Sequence, residues 1–144
     1  MILGRFTKFV PGRAAPQGSM VGLWSESEAK VVMKASAAGL HAWREDIGWI
    51  IRGEMNRHAL VMAAAGIAVG LQLHFNLWST TPHLGEAMIL APDLDKLSRA
   101  VLDALTGILY VDDRQVDALS ATKAWAGSLP LAGVTIHATI GTCP

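Results

Sequence analysis

The chain has 144 residues, 51% of them apolar and 17% charged, which belongs to one folded domain and excludes a disordered or low-complexity segment. Its single cysteine, Cys143, excludes an internal disulfide framework and a cysteine zinc site, and fits a reducing, cytoplasmic setting. Twelve basic and twelve acidic residues cancel, so the whole chain lacks the basic footprint of a nucleic-acid binder, although residues 1–58 hold eight Lys/Arg against five Asp/Glu and residues 59–144 hold four against seven.

No basic run followed by an apolar core opens the chain, so no signal peptide is expected. Ile2 to Val10 has strand character. Pro11 to Ser19 reads as an irregular loop punctuated by proline and glycine. Val21–Trp24 and Val31–Lys34 suit a short hairpin around Ser25-Glu26-Ser27-Glu28. His41 to His58 reads as a helix. Trp43, Ile47, Ile50, Ile51, Glu54 and Met55 fall mostly on one stripe, and Arg44, Glu45, Asp46, Arg52 and Arg57 mainly elsewhere. Arg44, Arg52 and Arg57 could face phosphates; the pattern favours a solvated helix face.

Ala59 to Leu71 is the longest apolar run and is too short to span a bilayer, so no membrane partner is expected. Ala63-Ala64-Ala65-Gly66 loosens it. From Ile67 to Leu77 apolar and small or polar residues alternate, the period of a strand, with His74 on the non-core face as an ordinary exposed residue. Trp78 to Leu90 is a loop containing Pro82 and Gly85. His83 on that loop is expected to face solvent rather than substrate.

Pro92 fixes its own φ and pushes Ala91 into an extended conformation, which suits a helix start. Leu94, Leu97, Val101, Leu102 and Leu105 then recur at helical spacing, and Gly107 is a plausible stop, so the spacing predicts a helix over about 93–106. Ile108–Val111 reads as a short strand into an Asp112-Asp113 turn, Gln115–Trp125 as a bulged strand, and Gly133–Ile140 as an alternating strand. The fold class is α+β (mixed α/β). One domain over residues 1–144 has a mixed β-sheet packed by two main helices, about 41–58 and 93–106.

Four aspartates flank the second helix. Asp93 and Asp95 are about 200° apart on an ideal helix, so they converge only if Asp93 is still in the approach and Asp95 is in the first turn. Arg99 lies one turn beyond Asp95, on the same face. Two readings stand. Asp at a helix start is a common cap, Asp-Asp suits a turn, and Asp95 with Arg99 would be a weak surface ion pair. Alternatively the carboxylates form a hard-cation site, since Mg²⁺ takes oxygen ligands and keeps several waters. With phosphate as substrate, such a site means phosphodiester chemistry.

The segment Ala91-Pro92-Asp93-Leu94-Asp95-Lys96-Leu97-Ser98-Arg99, the helix end Asp103-Ala104-Leu105-Thr106-Gly107, the turn Asp112-Asp113-Arg114-Gln115-Val116 and the later Lys123 together resemble the RusA-like family of Holliday junction resolvases. The loop Ala15-Pro16-Gln17-Gly18-Ser19 looks like that of the phage and prophage branch. The resemblance implies a homodimeric, Mg²⁺-dependent (or Mn²⁺-dependent) endonuclease without a small-molecule cofactor, placing paired nicks across branched, four-way DNA in recombination and repair. A flap or fork nuclease, or a non-catalytic DNA-binding module of the same fold, are the alternatives. By position Asp93, Asp95 and Asp113 match the catalytic, metal-binding aspartates, and Asp112 is their neighbour. Arg99 stands where the family has a catalytic lysine; arginine can still donate to a phosphate, while it cannot serve as a titrating amine. Lys96, Lys123, Gln17 and Ser19 are the implied DNA contacts, the lysines being equally readable as plain surface residues.

Overall fold

The computed structural model describes residues 1–18, 20–25, 27, 30–35, 39–81, 83 and 85–142, with only the backbone for 20–25 and 30–35. Ser19, Pro82, Cys143 and part of the expected hairpin turn lie outside these residues.

Alternation builds a four-stranded sheet. Its strands are β1 (Ile2–Pro11), β4 (Val69–Leu77), β5 (Val116–Trp125) and β6 (Gly133–Gly141), in the order β1-β6-β4-β5. The expected hairpin is present as β2 (Met20–Ser25) and β3 (Lys30–Ala35), a separate two-stranded sheet. β6 runs antiparallel to β1 and β4, whereas β4 and β5 are parallel. β5 carries the expected bulge. Val116 pairs with Val69 and Ala118 with Gly70, which leaves Asp117 as the extra residue.

Two helices, α1 (Leu40–Arg57) and α2 (Leu94–Leu105), cover one face. Val69, Leu71, Leu73, Phe75 and Leu77 point into the core, and Trp43, Ile47 and Ile51 of α1 with Leu97, Val101 and Leu105 of α2 meet them. The stripes read from the sequence face the core, with Ile50, Leu94 and Leu102 half-buried at their margins. Arg52 and Arg57 are solvated as expected, while Arg44 lies half-buried in a cleft between the helices. Gly48 leaves room for the turn that follows α2, because a Cβ there would sit 2.9 Å from the Ile108 side chain.

The other sheet face is left open and polar. A chain of contacts crosses all four strands on it: Thr7 Oγ1 to His137 Nδ1 at 2.8 Å, His137 edge-on to His74 at 5.4 Å, and His74 Nδ1 to Thr122 Oγ1 at 2.7 Å. Side chains that satisfy one another and water at once need no cover.

Two expectations are corrected. Ile108–Val111 is not a strand. Gly107, at φ +80°, ends α2 and donates to the Tyr110 carbonyl at 2.7 Å, so the chain turns sharply and only Tyr110 bridges, to Ala63 and Thr106. His83 is only partly open to solvent. It is 20% exposed and stacks on Trp125, with Nδ1 3.0 Å from a Glu86 carboxylate oxygen.

Glu54 is the buried exception on the apolar stripe of α1. His58 Nε2 lies 2.9 Å from one carboxylate oxygen and Lys8 Nζ 3.2 Å from the other. The His58 hydrogen bond, with help from Lys8, holds the Glu54 carboxyl below its ordinary value of about 4.5 despite burial. A depressed carboxyl contributes stability above that value and loses it as pH falls through the folded one. Thermal melts from neutral pH to about pH 3 should therefore show Glu54→Gln flattening the acid loss of the wild-type chain. An unchanged acid slope would place that loss elsewhere.

Candidate active site

The two aspartate pairs do not meet within one chain. α2 has 12 residues, roughly 18 Å of helix, with Asp93 as its N-cap and the Asp112–Gln115 segment beyond its C-terminus. Because β4 and β5 are parallel, α2 runs from the end of one to the start of the other. Among the described residues, no group of three His, Cys, Asp or Glu side chains could hold a metal ion.

At the N-terminal end Asp93 occupies the capping position, yet its side chain makes no cap hydrogen bond; it lies 3.7 Å from Lys96 Nζ instead. Asp95 is in the first turn, so the arrangement needed for the two carboxylates to converge is present. Both are exposed, as is Arg99. The expected Asp95–Arg99 ion pair is not formed: among the described residues neither side chain has a hydrogen-bond or ion-pair partner. A partnerless Asp95 carboxylate beside an Asp93 carboxylate held only by Lys96 suits a hard cation that takes few protein oxygens. The uncapped first-turn N–H groups, with Lys96 and Arg99 beside them, suit a phosphate.

Two neighbours fix this end. Lys123 Nζ donates to the carbonyls of Leu90 at 2.7 Å and Pro92 at 2.9 Å, tying β5 to the residues that lead into Asp93. The sequence offered Lys123 as a DNA contact or a plain surface lysine. In the structure two of its three N–H bonds hold backbone, and one is left over. Gln17 donates its backbone N–H to the Lys96 carbonyl at 2.9 Å, which brings the 15–18 loop onto the same turn of α2. Its side-chain oxygen is buried without a partner.

At the far end the turn reading holds for Asp112. Its carboxylate accepts from Arg114 N–H at 3.0 Å, in a capping box with Gln115. Asp113, the next residue, is exposed, and among the described residues it makes no hydrogen bond or ion pair. Gln115 is the residue sequence reasoning passed over. Its side-chain oxygen accepts from Val111 and Asp112 N–H at 2.9 and 3.1 Å. Its amide nitrogen donates to the carbonyls of Ala64 and Ile67, both at 2.9 Å, with Ala63 at 3.4 Å. One amide thus closes the aspartate turn and anchors it to the segment before β4. The motif signalled that a glutamine stands there, but the carbonyls its amide nitrogen reaches are 48 to 52 residues away. Tyr110, buried beneath, donates to the Leu102 carbonyl at 2.8 Å. Burial first, then the charges of Asp113 and Asp103, push its hydroxyl well above the ordinary range.

No similarity to an individual curated protein reaches significance. A family model described as endodeoxyribonuclease RusA matches residues 15–137, from the loop that docks on α2 to the middle of β6, and takes in both aspartate groups and both of their clamps. This chain therefore belongs to the RusA endodeoxyribonuclease family.

Proposed function

We propose that the chain resolves four-way (Holliday) DNA junctions as a Mg²⁺-dependent homodimer, with Mn²⁺ an alternative metal, in recombination and repair. The observation that carries the reading is the state of Asp93 and Asp95. Both stand at a helix start in a family of DNA endonucleases, and neither is used as a cap.

Asp93, Asp95 and Asp113 would hold the cation. When bound it supplies a more acidic water and offsets charge on the scissile phosphate. The chain's own groups do the rest. The open N–H groups of the first turn and the permanent charge of Arg99 hold and orient a phosphate. Lys96 keeps Asp93 oriented, Lys123 fixes the backbone before it, and Gln115 fixes Asp113.

The distance between the two aspartate groups supports two-fold symmetry. An isologous contact presents the same patch from both copies, and where its two-fold axis lies across α2 the two copies of that helix run antiparallel. Along the side of α2 and the free-edged strand β5, such a contact brings the N-terminal end of α2 toward the partner's aspartate turn. Asp93 and Asp95 of one copy would then share a cation with the partner subunit's Asp113. Two such sites per dimer match the two symmetric cuts a junction needs.

An end-labelled four-way junction should be nicked symmetrically in the presence of Mg²⁺ and left intact in EDTA, with a linear duplex of the same sequence uncut in both. Cutting of flaps or forks in preference to the junction would move the substrate to those structures. Binding without nicks would leave a DNA-binding module.

Asp95→Asn and Asp113→Asn should each abolish nicking alone. Mixed and allowed to exchange subunits, they should recover unpaired nicks, because one of the two shared sites in each mixed dimer is intact. A mixture as inactive as its parts would place each whole site in one chain.

Gln115→Ala should lower nicking on the order of 10-fold to 100-fold, the range for residues that orient metal ligands, with junction binding little changed. Gln115→Glu should lower it further, since a carboxylate cannot donate to the carbonyls of Ala64 and Ile67. Wild-type rates in both variants would remove Gln115 from the positioning of Asp113.

A further inference from the structure

Beside the start of α2 lie two adjoining clefts, each about 290 Å³, that the proposed chemistry leaves unused. They share a wall of Trp78, Ser79, Thr80 and Trp125. The first continues to Arg13, Asn76 and Pro92, the residue before Asp93; the second continues to His83.

The wall is built for flat rings. The Arg13 guanidinium lies 5.1 Å from the Trp78 ring centroid. The His83 ring lies on Trp125 at 4.1 Å with planes 13° apart, so that indole face already takes a nitrogen heterocycle at stacking distance. The Trp125 indole N–H is buried with no hydrogen-bond partner, an uncommon state for a buried donor. No carboxylate is among the described residues lining either cleft, and Arg13 is the one permanently charged group. The cleft between α1 and α2 differs. There Glu45 and Asp103 accompany Arg44 and Arg52, and no sign of charge is selected.

Aromatic walls, one cation, hydroxyl and amide groups and no anion suit a ligand that joins a flat heterocycle to a negative charge, which is a nucleotide. Position narrows the choice. Lys123 binds the Pro92 carbonyl, so the cleft and the backbone of Asp93 form one unit. We propose that the first cleft takes an unpaired nucleobase from the strand whose phosphate lies at α2. The base stacks on Trp78, its edge meets Asn76 and Thr80, and Arg13 meets its phosphate. This rests on the nuclease reading above. A branch point is where a base has least stacking to lose, so extruding it there costs least.

The test is junction binding in EDTA, with an abasic site placed in turn at each nucleotide flanking the crossover, against wild type and Trp78→Ala. At one position the abasic site and the substitution should each weaken binding on the order of tenfold, and the two together no more than either alone. Thr80→Val, which keeps the shape and the fold but removes the hydroxyl, should reduce discrimination among bases at that position without altering affinity for the abasic junction. Losses that multiply at every position, with base discrimination intact in Thr80→Val, would overturn the base site and leave the nuclease reading standing. No junction binding by the wild-type chain would overturn both.

Discussion

The parallel pairing of β4 with β5 is the constraint on which the candidate site depends. Parallel neighbours cannot be joined by a tight turn; the chain must travel back along the sheet between them. α2 makes that journey, so its N-terminal flank lies where β4 ends and its C-terminal flank lies where β5 begins. The carboxylates of Asp93 and Asp95 and that of Asp113 are therefore held apart by the length of a helix whose Leu97, Val101 and Leu105 are locked in the core. Moving either group toward the other would mean unpacking that apolar stripe, at about 25 cal/mol for each Å² re-exposed.

Each end of that helix is pinned by one polar side chain acting on backbone. Lys123 reaches the carbonyls of Leu90 and Pro92, and Gln115 reaches both sides of the aspartate turn. Long side chains lose rotamer freedom when fixed in this way. Several hydrogen bonds from one group offset that loss better than one bond could. The aspartates themselves are left without internal partners at Asp95 and Asp113. The division between groups that hold backbone and groups left in solvent is the feature a cation-binding role most needs.

Much of this is legible in the sequence where the determinants are local. The apolar periods of α1, α2 and β4 give those elements, Pro92 and Gly107 bracket α2, and the bulge in β5 accords with its broken alternation. The order of residues 91–123 is specific enough to point to the family that residues 15–137 match. The hidden part is non-local. Nothing in β4 or β5 announces that they pair in parallel, so the separation of the aspartates cannot be read there. Gln115 and Lys123 act on backbone carbonyls 31 to 52 residues away, and carbonyls have no letter in a sequence. His83 lies in a polar loop and reads as exposed until Trp125 is placed beneath it.

The length of α2 has a consequence beyond geometry. In a single copy the three carboxylates lie at opposite ends of α2, so on the shared-site reading proposed above their chemistry would await an encounter between two chains. At dilute copy number the active population would then rise as the square of chain concentration, by mass action. Scarcity alone would keep such a nuclease silent toward the cell's DNA, and a modest rise in expression would switch it on steeply. The span of a twelve-residue helix would thereby set a dosage threshold, with no inhibitor required.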